Sequence, residues 1–278
     1  MALVTAAMAR AQIPALAGTT DDSLLTSLIA AVESSYARLC GYPGAAPSMQ
    51  ARTYRMLLGS DGGRELDLQV YPVCSVSLVE QDDTGDYVTP DSVDSADYAV
   101  RDGRSVRMLS TASSSWAIAD DGNRVTFVAG YGGATQLDGA VSSASATTIT
   151  VDSAANLSVG DDGLGRVLID SEVVAYTGKT STTLTGCIRG ADGTTAATHL
   201  DNATVTAVVP DALEQLIVAG TKWLYERRAA TGVVSMSPRG GGSVSTGDGA
   251  RASGEIKEWP DHILAALGAF ALPRSVLG

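Results

Sequence analysis

Apolar positions fall into three regimes along the chain. From Thr19 to Gly41, Leu24, Leu25, Leu28, Ile29, Val32, Tyr36 and Leu39 recur at a helical spacing. Thr19 or Thr20 can cap this helix, Asp21 and Asp22 suit the positive end of its dipole, and Gly41 followed by Pro43 ends it. A shorter helix is expected before it, over Thr5 to Gln12. Between Arg52 and Val128 the period shortens to two, in runs such as RTYRMLL, RELDLQVYP, CSVSLVE and NRVTFVA, broken by turn residues. Asp102-Gly103 lies between two such runs, as a hairpin turn does. This stretch predicts a small antiparallel sheet.

After Gly130 the composition changes to Thr, Ser, Ala and Gly, with strand signals at TTITV, RVLID, EVVAYTG, TTLTGC and ATVTAV. Such a compact β module is tolerated as an insertion at an exposed loop. Helical spacing resumes at Pro210, a residue suited to a first turn, with Leu213, Leu216, Ile217, Gly220, Trp223 and Leu224 on one face. Arg227 and Arg228 favour the C-terminal end of that helix. A Gly- and Ser-rich stretch follows and reads as a flexible linker. The closing cassette sets Ile263, Leu264, Leu267 and Phe270 on one side of roughly three turns, too short to be stable alone. It must dock on its own domain or on a partner.

These patterns predict an α+β chain. A helical-bundle body with a small antiparallel sheet occupies residues 1–134 and resumes over 209–234. An inserted all-β module fills 135–208, a linker 235–257, and a C-terminal tethered docking helix 258–278. The content of 45% apolar residues in 278 is ample for a buried core. With two Phe, nine Tyr, three Trp and 30 Gly, short strands and turns are favoured.

A formal charge of -12 disfavours specific nucleic-acid binding and anionic lipid. No apolar run approaches the ~18 residues that a membrane span needs. The Ala-rich opening lacks a basic start and is interrupted by Arg10 and Gln12, which argues against a secretory signal. Cys40, Cys74 and Cys187 have neither disulfide-framework nor zinc spacing and read as buried thiols in a reducing compartment.

Chemistry is sparse. Gly178-Lys179-Thr180 lacks the preceding glycine of a phosphate loop, since Val173 stands there. The paired acids Asp82-Asp83, Asp120-Asp121 and Asp161-Asp162 read as solvated turns, and DDTGD lacks the closing Glu of a calcium loop. His199 reads as a turn residue of the module and His262 as a polar-face residue of the last helix. No catalytic, cofactor or metal site is expected, and no enzyme.

The order of elements resembles the head-tail connector (adaptor) family of tailed bacteriophages. It is carried by LVTAAMARAQI, TTDDSLLTSLIAAVESSYARLCGY, ARTYRMLL, LQVYPVCSVSLVE, NRVTFVAGYG and VPDALEQLIVAGTKWLYERR, above all by Asp21-Asp22 with Leu24-Leu25 and by Tyr225-Glu226-Arg227. The likeness covers residues 1 to about 133 and 209 to 230, and the module departs from it. It implies a homo-oligomeric ring, a dodecamer in the family, at the head–tail junction of the virion and assembled in the host cytoplasm. The portal protein and a tail or head-completion protein are the implied partners, with DNA passing through unbound. Trp259, Ile263, Leu264, Leu267, Phe270 and Leu272 become portal-docking candidates. Trp223, Tyr225, Arg227 and Arg228 become ring-packing candidates. The alternatives are a surface module whose residues 135–208 recognise a glycan or receptor, and a hydrolase using His199 or His262.

Overall fold

The computed structural model describes residues 2–13, 18–110, 112, 115–159, 163–227, 233–236, 244–246 and 259–272. It divides into two compact units, one built on Met49–Val209 and one on Ala2–Ser48 together with Pro210–Ala271. Among the described residues strand makes up 31% and helix 22%. The chain is therefore mostly β, and the expected helical-bundle body is overturned. The cause lies in element length: two long amphipathic helices dominate the hydrophobic pattern, whereas most strands are only two to five residues long and each contributes little pattern, although the strands together hold more residues than the helices.

The β unit begins with β1 (Arg52–Leu58), β2 (Glu65–Asp67), β3 (Val73–Gln81), β4 (Asp91–Ser92), β5 (Tyr98–Arg101), β6 (Ser105–Met108) and β7 (Asn123–Ala129). They form an antiparallel sheet of order β1-β7-β3-β4 and another of order β2-β6-β5. In β7 the alternation is regular, with Val125, Phe127 and Ala129 buried. In β3 it slips, because bulges fall between Val73 and Ser75 and between Val76 and Leu78. Asp102 and Gly103 take positive φ of 50° and 59° in the β5–β6 turn, as the hairpin reading expects. Arg124 forks onto Glu80 at 2.7 and 2.8 Å across the β7–β3 pair.

Eight strands follow: β8 (Ala134–Gln136), β9 (Thr148–Thr150), β10 (Gly165–Ile169), β11 (Glu172–Tyr176), β12 (Gly178–Lys179), β13 (Thr183–Thr185), β14 (Ile188–Ala191) and β15 (Thr204–Ala207). They pair as β14-β11-β10-β15-β8 and β12-β13-β9 around Leu137, Ile149, Val167, Ile169, Val174 and Leu184, all at 1% exposure or less. Each of the five strand signals is realised, in β9, β10, β11, β13 and β15, and β8, β12 and β14 are added. The segment after β9 is tied to the first sheet and to β12: Ser75 Oγ donates to the Ala155 carbonyl at 2.8 Å and Lys179 Nζ to Ala154 at 2.5 Å. Burial draws the Lys179 ammonium down to about 8, against a smaller opposing influence of Cys74.

Tyr176 is fully buried and donates to the Ser158 carbonyl at 2.6 Å. The hydroxyl end of its ring lies against the backbone of Gly165, its partner in the β10–β11 register, where a Cβ would overlap the ring carbons and hydroxyl. Gly165→Ala is expected to destabilise the β unit by about 1–3 kcal/mol through overpacking, read as a lower urea midpoint at unchanged m-value.

Candidate functional site

The helical unit is assembled from both ends of the chain. It comprises α1 (Ala6–Ala11), α2 (Asp22–Leu39), α3 (Asp211–Arg227), α4 (Asp261–Leu267) and a 3-10 turn over Gly268–Phe270. Thr5 caps α1 through Met8 N–H. On α2, Leu25, Ile29, Val32 and Tyr36 face inward at 1% exposure or less, while Leu39, expected on the same face, is 44% exposed at the end of the helix. The helix starts one turn position later than the Thr19 or Thr20 cap predicts: Asp21 holds the N-cap position and its side chain caps nothing.

Instead, the Asp21 carboxylate accepts the Tyr225 hydroxyl at 3.2 Å, across 204 positions of sequence. Asp22 pairs with Arg10 of α1, and Gln12 meets Gln215 of α3 at 3.0 Å. Ile13, Leu25 and Tyr225 form a small buried cluster beneath these polar contacts. The main contact between α2 and α3 is steric. Tyr36 fits over Gly220, where a Cβ would strike the phenol oxygen and lie 3.0 Å from Val32 Cγ1. The Tyr36 hydroxyl donates to the Leu216 carbonyl at 3.1 Å. Burial, with a contribution from Cys40, pushes the phenol above its ordinary range, and burial pushes the Cys40 thiol up to about 11.

The C-terminal cassette is seated on this unit. Trp259 is 4% exposed, edge-on to Tyr36 at 5.1 Å and tilted against Trp223 at 4.9 Å between ring centroids. Ile263 and Leu267 are buried with it, and Cys40 Sγ reaches the Leu267 carbonyl at 3.7 Å. Of the remaining docking candidates, Leu272 is buried, Phe270 half-buried and Leu264 36% exposed. Among the packing candidates Trp223 is half-buried and Tyr225 is 7% exposed. Arg227 is described only as helical backbone, and Arg228 lies outside the described residues. The linker reading of 235–257 also falls largely outside them; across its start, β16 (Val233–Met236) pairs with β17 (Val244–Thr246).

A second concentration of chemistry sits in the β unit and escaped the sequence reading. His199, expected in a turn, is 4% exposed, its ring nitrogens 2.7 Å from Asp170 Oδ2 and 2.8 Å from Glu172 Oε2. Glu172 is fully buried. It also accepts two hydrogen bonds at 2.7 Å from Arg189 and two at 2.9 Å from the Gly190 and Ala197 N–H groups. Burial alone would raise its pKa. The Arg189, Ala197, His199 and Gly190 donors outweigh that and hold it at about 2. A carboxylate so fully occupied anchors β11, β14 and the strand-like approach to His199; it has no lone pair left to offer a substrate. One signal was present in the sequence: Glu172 is in phase with the inward residues Val174 and Tyr176.

No family model and no curated protein matches the chain. Among solved structures it is similar to a chain of one described as "Neck of empty GTA particle computed with C6 symmetry", with a TM-score of 0.41 and 14% identity over 98% of this chain and 91% of that one.

Because the folded Glu172 ionises well below an ordinary carboxyl, the unfolded chain takes up the proton first on acidification. Its contribution, on the order of 3 kcal/mol, is present above about pH 4.5 and is lost as pH falls towards 2. Glu172→Gln is expected to lower stability at pH 7 and to flatten that acid limb in a pH series of thermal melts; a parallel acid limb in both proteins contradicts the assignment.

Proposed function

We propose that the chain is a structural adaptor at the head–tail junction of a tailed phage, which packs side by side with copies of itself into a ring between the portal and the tail or head-completion proteins. The observation that carries this reading is the bond from Tyr225 to Asp21. The two sequence landmarks that most define the resemblance, the acidic start of the first long helix and the Tyr-Glu-Arg end of the last, lie against each other in one helical unit. With Arg10 on Asp22 and Tyr36 over Gly220, the order of elements shared with the adaptor family becomes a spatial arrangement.

In this reading the buried side of the cassette, Trp259, Ile263 and Leu267, holds it to its own protomer, and its outward side, with Leu264 and Phe270, meets the portal. Repeating a -12 chain around a ring gives a negative annulus that repels phosphate and lets DNA pass without adhering. The glycan-binding alternative draws no support from the β unit, because Tyr176, the aromatic residue between 135 and 208, is fully buried and unable to stack on a sugar.

Negative-stain electron microscopy of the purified chain, alone and mixed with purified portal rings, tests the reading. Closed annuli of the chain, alone or seated on the portal, are expected. A chain that remains single under both conditions overturns the proposal.

A further inference from the structure

Two strand edges of the β unit have no main-chain partner among the described residues. The Asp82 N–H donates to the Gly122 carbonyl and the Val93 N–H to the Val79 carbonyl, both at 2.9 Å, which sets the phase of the first sheet. Even-numbered positions of β7 bond to β3, so Val125 and Phe127 bond to Met56 and Tyr54, their partners in β1. The main-chain groups of Thr53, Arg55 and Leu57 therefore point out of the sheet at its open β1 edge. In β2 the Arg64 carbonyl accepts from Met108 at 2.8 Å and the Leu68 N–H donates to Arg104 at 3.1 Å. Between these bonds Glu65 and Asp67 direct their main-chain groups away from β6, at the open edge of the second sheet.

Strand β1 carries none of the features that keep an edge solitary. It runs for seven residues without a register shift, has neither proline nor lysine, and leaves Leu57 48% exposed. The two edges match in charge. The Arg55 side chain is 60% exposed, and Glu80, 4.0 Å from it, is already committed to Arg124. Glu65 and Asp67 are exposed. They also match in facing: Tyr54 and Leu58 of β1 and Leu66 of β2 are buried, so a shared sheet keeps solvent-facing side chains beside solvent-facing ones.

We propose that β1 of one copy pairs antiparallel with β2 of the next, with Arg55 opposite Asp67, Met56 opposite Leu66 and Leu57 opposite Glu65. Asp67 is the freer acid. Its Oδ1 accepts from the Gln69 N–H and its second oxygen is open, whereas Glu65 accepts from Ser105 Oγ and stands opposite Arg107 in its own sheet. Pairing β1 with β1 in its centred register would instead set Arg55 against Arg55. Because the two copies contribute different edges, the contact repeats head to tail. The pairing rests on the ring reading and names the strands that make the ring.

Analytical ultracentrifugation of the full chain, alone and with purified portal rings, reads the assembly. Arg55→Asp and Asp67→Arg are each expected to raise the concentration for half-assembly at least tenfold, and the double variant Arg55→Asp, Asp67→Arg to bring it back within about threefold of the unaltered chain. Leu57→Pro, which deletes one outward N–H and leaves the β1–β7 bonds in place, is expected to abolish assembly while the thermal melt is unchanged. Assembly unaltered by Arg55→Asp or Leu57→Pro overturns the pairing and leaves the ring reading standing. Loss in Arg55→Asp with none in Asp67→Arg, or no recovery in the double variant, overturns it in favour of another strand on β1. An unaltered chain that stays single under both conditions overturns the pairing and the ring together.

Discussion

Tyr36 lying over Gly220 is the constraint on which the helical unit depends. Two helices 180 residues apart in sequence come close enough for a phenol ring to occupy the space a side chain would fill, and its hydroxyl closes on the Leu216 carbonyl in the same turn. That approach brings Tyr225 to Asp21 and Gln215 to Gln12, and Trp259 packs edge-on to the Tyr36 ring. One glycine thus fixes the distance at which the two ends of the chain meet. Everything from Met49 to Val209 is an excursion between those ends.

The β unit uses the same device and a different one. Tyr176 against Gly165 repeats the pairing of a buried phenol with a glycine, here inside a strand pair. Glu172 replaces hydrophobic burial by a charge satisfied from five directions, which links β11 to β14 and to the segment carrying His199. The desolvation of Glu172 and Arg189 offsets part of their attraction, so the five hydrogen bonds to the carboxylate are what make the burial tolerable.

Much of the secondary structure was legible in the sequence. The α2 and α3 periodicities, the β7 alternation and the five strand signals of the second half correspond to observed elements, because each rests on local spacing. What failed was the weighting: the long helices suggested a bundle, while β8 and β14, with three and four residues, carry too little pattern to be seen alone. Pairings across long sequence separations were also hidden. Nothing local tells that Asp21 forgoes its capping role for Tyr225, that Trp259 seats between Tyr36 and Trp223, or that His199 leaves solvent for two carboxylates. Only the phase of Glu172 with Val174 and Tyr176 gave notice of the last.

Amide hydrogen exchange on Gly220→Ala shows whether the Tyr36 contact holds α2 and α3 together. In an isolated helix alanine would gain roughly 1 kcal/mol over glycine, so any loss must come from the Tyr36 contact, where overpacking costs about 1–3 kcal/mol or more. The α2 and α3 amides are expected to lose protection together while those of β10, β11 and β15 keep theirs. Unchanged or increased protection in α2 and α3 would contradict it.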